Sequence, residues 1–212
     1  EKIIQICIAH KVQKVIVPKG GLLSTPATSH LIRKENAIGG IILSASHNPG
    51  GINGDFGVKL NISNGGPAPE IITNKIFKAS QLLTSYKICK IQLPDLSRFG
   101  TYSYGETNLE IIDGLKDYSN LMEEIFDFDQ ISDFLKKDFS LIFDAMNAVT
   151  GPYAKNIFVE KMGLSNDCVM NGNPLKDFGG LHPDPNLTYA SHLADLLLNK
   201  KSYSFGAACD GD

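Results

Sequence analysis

Between residues 140 and 208 the hydrophobic period switches back and forth in a fixed rhythm. Leu141 to Ala145 is an apolar strand-like run, Pro152 to Met162 keeps helical spacing and is closed by Gly163, and Cys168 to Met170 is apolar again. A loop, a helical stretch from Ala190 to Asn199 and a last strand-like run from Ser204 to Ala208 complete it. Strands alternating with helices of this length form a doubly wound α/β sheet. In such sheets ligands lie beyond the carboxyl ends of the strands, and the last run leads there into Asp210-Gly211-Asp212. Carboxylates two residues apart in extended chain point to the same side. They suit a hard, oxygen-preferring cation such as Mg²⁺, although Asp-Gly-Asp alone is also ordinary turn chemistry.

A second stretch, Gly39 to Pro69, carries more chemistry. The run Ile41-Ile42-Leu43 reads as a buried strand, and it delivers Ser46 to its tip before His47-Asn48-Pro49-Gly50-Gly51 stops it. Such a loop leaves backbone N–H groups to face an anion. Asn53-Gly54 is the signal for a tight type I′ turn. Folding the chain back there places Lys59 opposite Asn48 and Asn61 opposite Ser46. Phe56, Val58 and Leu60 then form one apolar face, with Gly57, Lys59 and Asn61 on the polar one. A hydroxyl, an imidazole and an ammonium so converge, and Ser46, His47 and Lys59 are a candidate phosphoryl-transfer set. A serine after a strand caps a turn more often than it reacts, so this reading rests on the whole run and the returning lysine.

Elsewhere the elements are plainer. Ile3, Ile4, Cys7 and Ile8 stripe one side of an opening helix, Val15-Ile16-Val17 is a short strand, and Thr25 as N-cap with Pro26 behind it starts a second helix to about Asn36. Strand, helix and the strand before Ser46 make a βαβ unit with a parallel pair. Pro69-Glu70 starts another helix with Ile72, Ile76, Ala79 and Leu83 on one side, and residues 89–107 read as loop and short strand. Tyr118 to Phe126 is helical, and a shorter helix follows Asp129.

The 212 residues hold 42% hydrophobic and 20% charged residues and a net charge of −3, an ordinary globular balance. No long Lys/Arg cluster favours nucleic acid or anionic membrane as a partner, and no apolar run approaches the roughly 18 residues of a membrane span. Cys7, Cys89, Cys168 and Cys209 are too scattered for a zinc site or a disulfide framework, which points to reduced thiols and a cytoplasmic setting. The ligand expected is a small molecule; nothing in the pattern specifies an oligomeric state.

Ser44 to Gly51, followed by Asn53 to Lys59 and Asn64 to Glu70, resembles the active-site region of the α-D-phosphohexomutases, and within them the eukaryotic-type phosphoglucomutases. The likeness extends to Leu23-Ser24-Thr25-Pro26-Ala27, Ala37-Ile38-Gly39-Gly40, Ile125 to Phe128, Asp177-Phe178-Gly179-Gly180, His182 to Tyr189, and Phe205 to Asp212. It covers nearly the whole chain.

The resemblance implies two successive mixed or parallel-sheet α/β domains, expected here as 1–115 bearing the phosphoserine and 116–212 bearing the metal loop. It implies that Ser46 carries phosphate, that Lys59 acts in proton transfer or on the phosphate, and that Mg²⁺ is held by Ser46, Asp210 and Asp212 with a third aspartate beyond this chain. His47 stands between a direct proton-transfer role and a backbone-bracing one, and His182 reads as a brace for the metal loop. The implied reaction interconverts glucose 1-phosphate and glucose 6-phosphate through glucose 1,6-bisphosphate, with phosphomannomutase as a neighbouring activity. Some relatives instead serve as cytoskeletal or secretion-associated phosphoproteins. The chain is expected to be a piece truncated at both ends and inactive by itself, because the sugar-reading and distal phosphate-gripping loops fall outside it.

Overall fold

The structure, a computed structural model, describes residues 1–137 and 139–212. In chain order its elements are α1 (Lys2–Ala9), β1 (Lys14–Pro18), α2 (Thr25–Lys34), β2 (Gly39–Ser44), β3 (Gly57–Ile62), α3 (Glu70–Gln81), β4 (Gly100–Tyr104) and β5 (Thr107–Ile112). Then follow α4 (Gly114–Ile125), α5 (Phe128–Leu135), β6 (Leu141–Asp144), α6 (Thr150–Ala154) continued by a wider turn over Lys155–Lys161, β7 (Val169–Met170), α7 (Ser191–Leu198) and β8 (Phe205–Ala208). The chain falls into two compact units, Glu1–Leu23 with Gly66–Gly114 and Ser24–Gly65 with Leu115–Asp212.

The first unit is built on a three-stranded mixed sheet, β1-β5-β4, with β1 parallel and β4 antiparallel to β5. Thr107, Leu109 and Ile111 alternate inward along β5 and are buried. Gly105 opens the two-residue turn between β4 and β5 at φ +61, the left-handed value such a turn asks of its first residue.

The second unit holds two sheets. β6, β7 and β8 are all parallel in the order β7-β6-β8, with β6 central, as the alternation predicts. Asp144 ends the central strand fully buried. Its carboxylate accepts from the Met146 amide and from Asn171 Nδ2, each at 2.8 Å, and lies 2.8 Å from His192 Nε2. The other sheet is the antiparallel pair β2-β3. α2 lies over its inner face, where Gly40 leaves room: a methyl there would come within 2.9 Å of Ile32 Cδ1. On that face Asn61 donates to Ser29 Oγ at 3.2 Å and to the Gly65 carbonyl at 2.9 Å, so the buried amide is satisfied.

Several local expectations are corrected. β1 takes β5 as its parallel partner and β2 pairs with β3, so the βαβ pair does not form. Of Ile41-Ile42-Leu43 only Ile42 is buried. The helix at Pro69 forms, yet Ile71, Ile76 and Phe77 are exposed and none of its residues is buried. Asn53-Gly54 is not a type I′ turn, since neither residue has positive φ. Gly54 is needed for close approach instead: a methyl there would meet the Pro49 and Gly50 carbonyl oxygens at 2.3 and 2.5 Å. The hairpin is therefore wider than expected, and Lys59 pairs with Ile42 rather than Asn48.

Candidate functional site

The site lies within the second unit. β2 ends at Ser44, and two residues later Ser46 turns into the left-handed region at φ +56, with its amide donating to Ser44 Oγ at 2.8 Å. A non-glycine residue held there is an unfavourable conformation that the surroundings must enforce. Enforcement comes from the aspartate loop, because the Gly211 amide donates to the Ser46 carbonyl at 3.1 Å. As a result Ser46 Oγ stands 3.3 Å from Asp210 Oδ2 and 3.4 Å from Asp212 Oδ1.

Lys59 reaches the same cluster. It shares the inner face of the hairpin with Ile42 and Asn61, and its ammonium pairs with Asp212 Oδ2. Thr25 grips that aspartate twice, its amide donating to the Asp212 carbonyl at 2.8 Å and its hydroxyl to Oδ2 at 3.3 Å. Burial raises the Asp210 carboxyl above the ordinary range, and the neighbouring Asp212 charge raises it further. Burial works the same way on Asp212, but the Lys59 ammonium, through its hydrogen bond and its charge, outweighs it and holds Asp212 below the usual value.

Thr25 is the residue that sequence reasoning misplaced. Ser24, not Thr25, caps α2, its side chain accepting from the Ala27 amide at 3.3 Å. That frees Thr25 for Asp212. The signal was present, since Ser24 is as good a cap as Thr25 and proline is tolerated anywhere in the first turn. His47 is exposed, and its ring makes no hydrogen bond among the described residues. His182 stacks on Tyr189 with ring centres 4.3 Å apart.

Two carboxylates and a serine oxygen within hydrogen-bonding distance of one another are hard donors of the kind Mg²⁺ takes. They supply fewer than the six ligands of its octahedron, and among the described residues no cluster of three His, Cys, Asp or Glu side chains could hold a metal. Behind the aspartates a cavity of about 330 Å³ is walled by Tyr118, Phe143, Tyr153, Phe158 and Cys209. Among the described residues no Lys, Arg or His lines it, so these offer a phosphate no cation. Burial pushes the Cys209 thiol up, and the Asp210 charge adds to this.

The structure brings a serine near a strand tip together with paired aspartates and a lysine, and comparison with known proteins bears on the family of the chain. Residues 1–87 match the phosphoglucomutase/phosphomannomutase α/β/α domain I and residues 116–212 match domain II. The chain belongs to the phosphoglucomutase/phosphomannomutase family. It is 52% identical over its whole length to a phosphoglucomutase of Aspergillus fumigatus and 51% identical over 99% of its length to a chloroplastic phosphoglucomutase of Arabidopsis thaliana. It covers 38% and 34% of those two proteins, so it spans little more than a third of the relatives it matches. A crystal structure of the exocytosis-sensitive phosphoprotein pp63/parafusin, a phosphoglucomutase of Paramecium in its open form, superposes on all of this chain with a TM-score of 0.93 at 44% identity, over 41% of that chain. Two mixed or parallel α/β domains are thus the family's own architecture. All four cysteines are free, and among the described residues no helix is long and apolar enough to cross a membrane.

Proposed function

We propose that the native protein carrying this chain interconverts glucose 1-phosphate and glucose 6-phosphate, with phosphate held on Ser46 and glucose 1,6-bisphosphate as the intermediate. The observation that carries this is the placement of Ser46 Oγ within 3.4 Å of both Asp210 and Asp212. In the forward half-reaction the bond between phosphorus and Ser46 Oγ breaks as one forms to a sugar hydroxyl. The proton of that hydroxyl leaves to the neutral imidazole of His47, or to Lys59 only in its neutral amine form, its own proton having first passed to Asp212. The bisphosphate, turned end for end, returns its other phosphate to Ser46. Ser46, Asp210 and Asp212 would hold Mg²⁺, which when bound neutralises charge on the phosphoryl group in flight. Thr25 keeps Asp212 aimed at the serine, and Gly211 keeps the two loops at hydrogen-bonding distance.

In this reading residues 1–115 form the phosphoserine-bearing domain and 116–212 the metal-loop domain, the working compartment is the cytoplasm, and the 212 residues alone do not turn over. The distal phosphate of the sugar needs its own cationic grip, and Lys59 and His47 already serve the serine end. A second reading, a phosphoprotein of regulated secretion, draws only on the likeness to parafusin. The test is to incubate the native protein with labelled glucose 1,6-bisphosphate and map the phosphate, alongside a coupled mutase assay with and without chelator. Label on Ser46 and chelator-sensitive turnover are expected. Label elsewhere that survives Ser46→Ala would overturn the assignment, and labelling without turnover would favour the phosphoprotein.

A further inference from the structure

Beneath the site, three segments far apart in sequence meet at the ring of Phe178. A methyl on Gly50 of the serine loop would lie 2.9 Å from Phe178 Cε2 and 3.0 Å from the Lys176 carbonyl oxygen. A methyl on Gly211 of the aspartate loop would lie 2.9 Å from Phe178 Cζ. One edge of the ring therefore abuts the serine loop and its tip abuts the aspartate loop. Neither glycine has a side chain with which to set the gap itself.

Phe178 is also held where a bulky residue does not go by choice, at φ +54. Its amide donates to the Leu175 carbonyl at 3.1 Å and its carbonyl accepts from Asn147 Nδ2 at 3.3 Å. Asn147, just beyond β6 and itself at φ +55, is tied by its own amide to the Asn171 carbonyl at 2.9 Å. The Asp177 side chain takes the Gly179 amide at 3.1 Å, which closes the turn. An observed backbone outlier braced from several sides, with its side chain against both reacting loops, calls for a functional reason.

We propose that Phe178 is a positioning residue whose ring spaces the Ser46 loop from Asp210 and Asp212, and so sets the metal affinity and the rate of phosphoryl transfer. This rests on the reading of the site given above. The phosphosugar itself need not touch Phe178, so its binding should be indifferent to the ring.

The experiment compares the native protein with Phe178→Ala and Phe178→Leu, using Mg²⁺ calorimetry without sugar, steady-state mutase kinetics and thermal unfolding. Phe178→Ala is expected to weaken Mg²⁺ binding about 10- to 100-fold and to lower kcat by a similar factor. KM for glucose 1-phosphate should stay within about two-fold. Leucine keeps the bulk near Gly50 but cannot reach Gly211, so Phe178→Leu should recover part of the loss, and it decides the matter if the alanine variant does not fold. Metal affinity and kcat within two-fold of native in a folded variant would overturn the proposal, as would a change confined to KM. The sugar-free calorimetry separates the two readings: native Mg²⁺ binding that Phe178→Ala weakens, in a protein without mutase turnover, would sink the proposed reaction and leave the spacing role standing.

Discussion

Replacing Gly211 by alanine isolates the contact between the two loops. Its backbone lies outside the left-handed region, so alanine brings no conformational penalty and the effect is steric. The added methyl would stand 2.2 Å from the Ser46 carbonyl oxygen, where ordinary contact begins at 3.4 Å. One loop must therefore retreat by about 1 Å, which stretches the Gly211 to Ser46 hydrogen bond and carries Ser46 Oγ off the aspartates; a misplacement of that size costs about 10²-fold in rate. The strain itself is that of an overfilled site, about 1–3 kcal/mol.

The assay follows kcat in the coupled reaction together with the denaturant midpoint of the native protein. Gly105→Ala is the control: Gly105 sits in a hairpin of the first unit at φ +61 with nothing within 4 Å of the added methyl. It should lose about 1 kcal/mol to backbone strain and leave kcat unchanged. Gly211→Ala should instead lose far more activity than stability. Turnover within two-fold of native, with unaltered metal dependence, would show that the Gly211 contact does not position Ser46.

Two further outcomes concern stability. Ser24→Ala is expected to cost about 1 kcal/mol through loss of the α2 cap, whereas Thr25→Ala should cost little stability and act on Asp212; equal destabilisation in urea titrations would return the cap to Thr25. Asp144→Asn puts an N–H pair where a buried carboxylate now takes Met146, Asn171 and His192, and should lower stability by about 1–3 kcal/mol, against which an unchanged unfolding midpoint would count.

What could be read from the sequence was whatever a single strand or helix settles with its own neighbours. The parallel sheet of the second unit followed from strand and helix periods alone, and both Ser46 and Asp210-Gly211-Asp212 stood out as candidates because each begins two residues past a strand. The β1-β5 pair was hidden because it joins Lys14–Pro18 to Asn108–Ile112, and no local rule sees a partner that distant. Exposure of Ile41 and Leu43 was hidden for a related reason: an apolar run reports that a strand wants burial, not which of its faces receives it.

Lys59 shows how a wrong register can still deliver the right side chain. The expected turn at Asn53-Gly54 set it opposite Asn48, and the observed pairing sets it opposite Ile42, six positions away. Side chains alternate with a period of two, so an even slip leaves Lys59 on the face first assigned to it, whereas a slip of one would have turned it away from Asp212. The error lay in the reason given for a glycine. Gly54 is small because the Pro49 and Gly50 carbonyls pass against it, and that close approach folds residues 49–55 onto themselves and widens the loop. The same logic applies to Gly50 and Gly211, whose missing side chains make room for Phe178 and the Ser46 carbonyl. A glycine in such a loop marks a place where something else must come near, and only the folded chain says what that is.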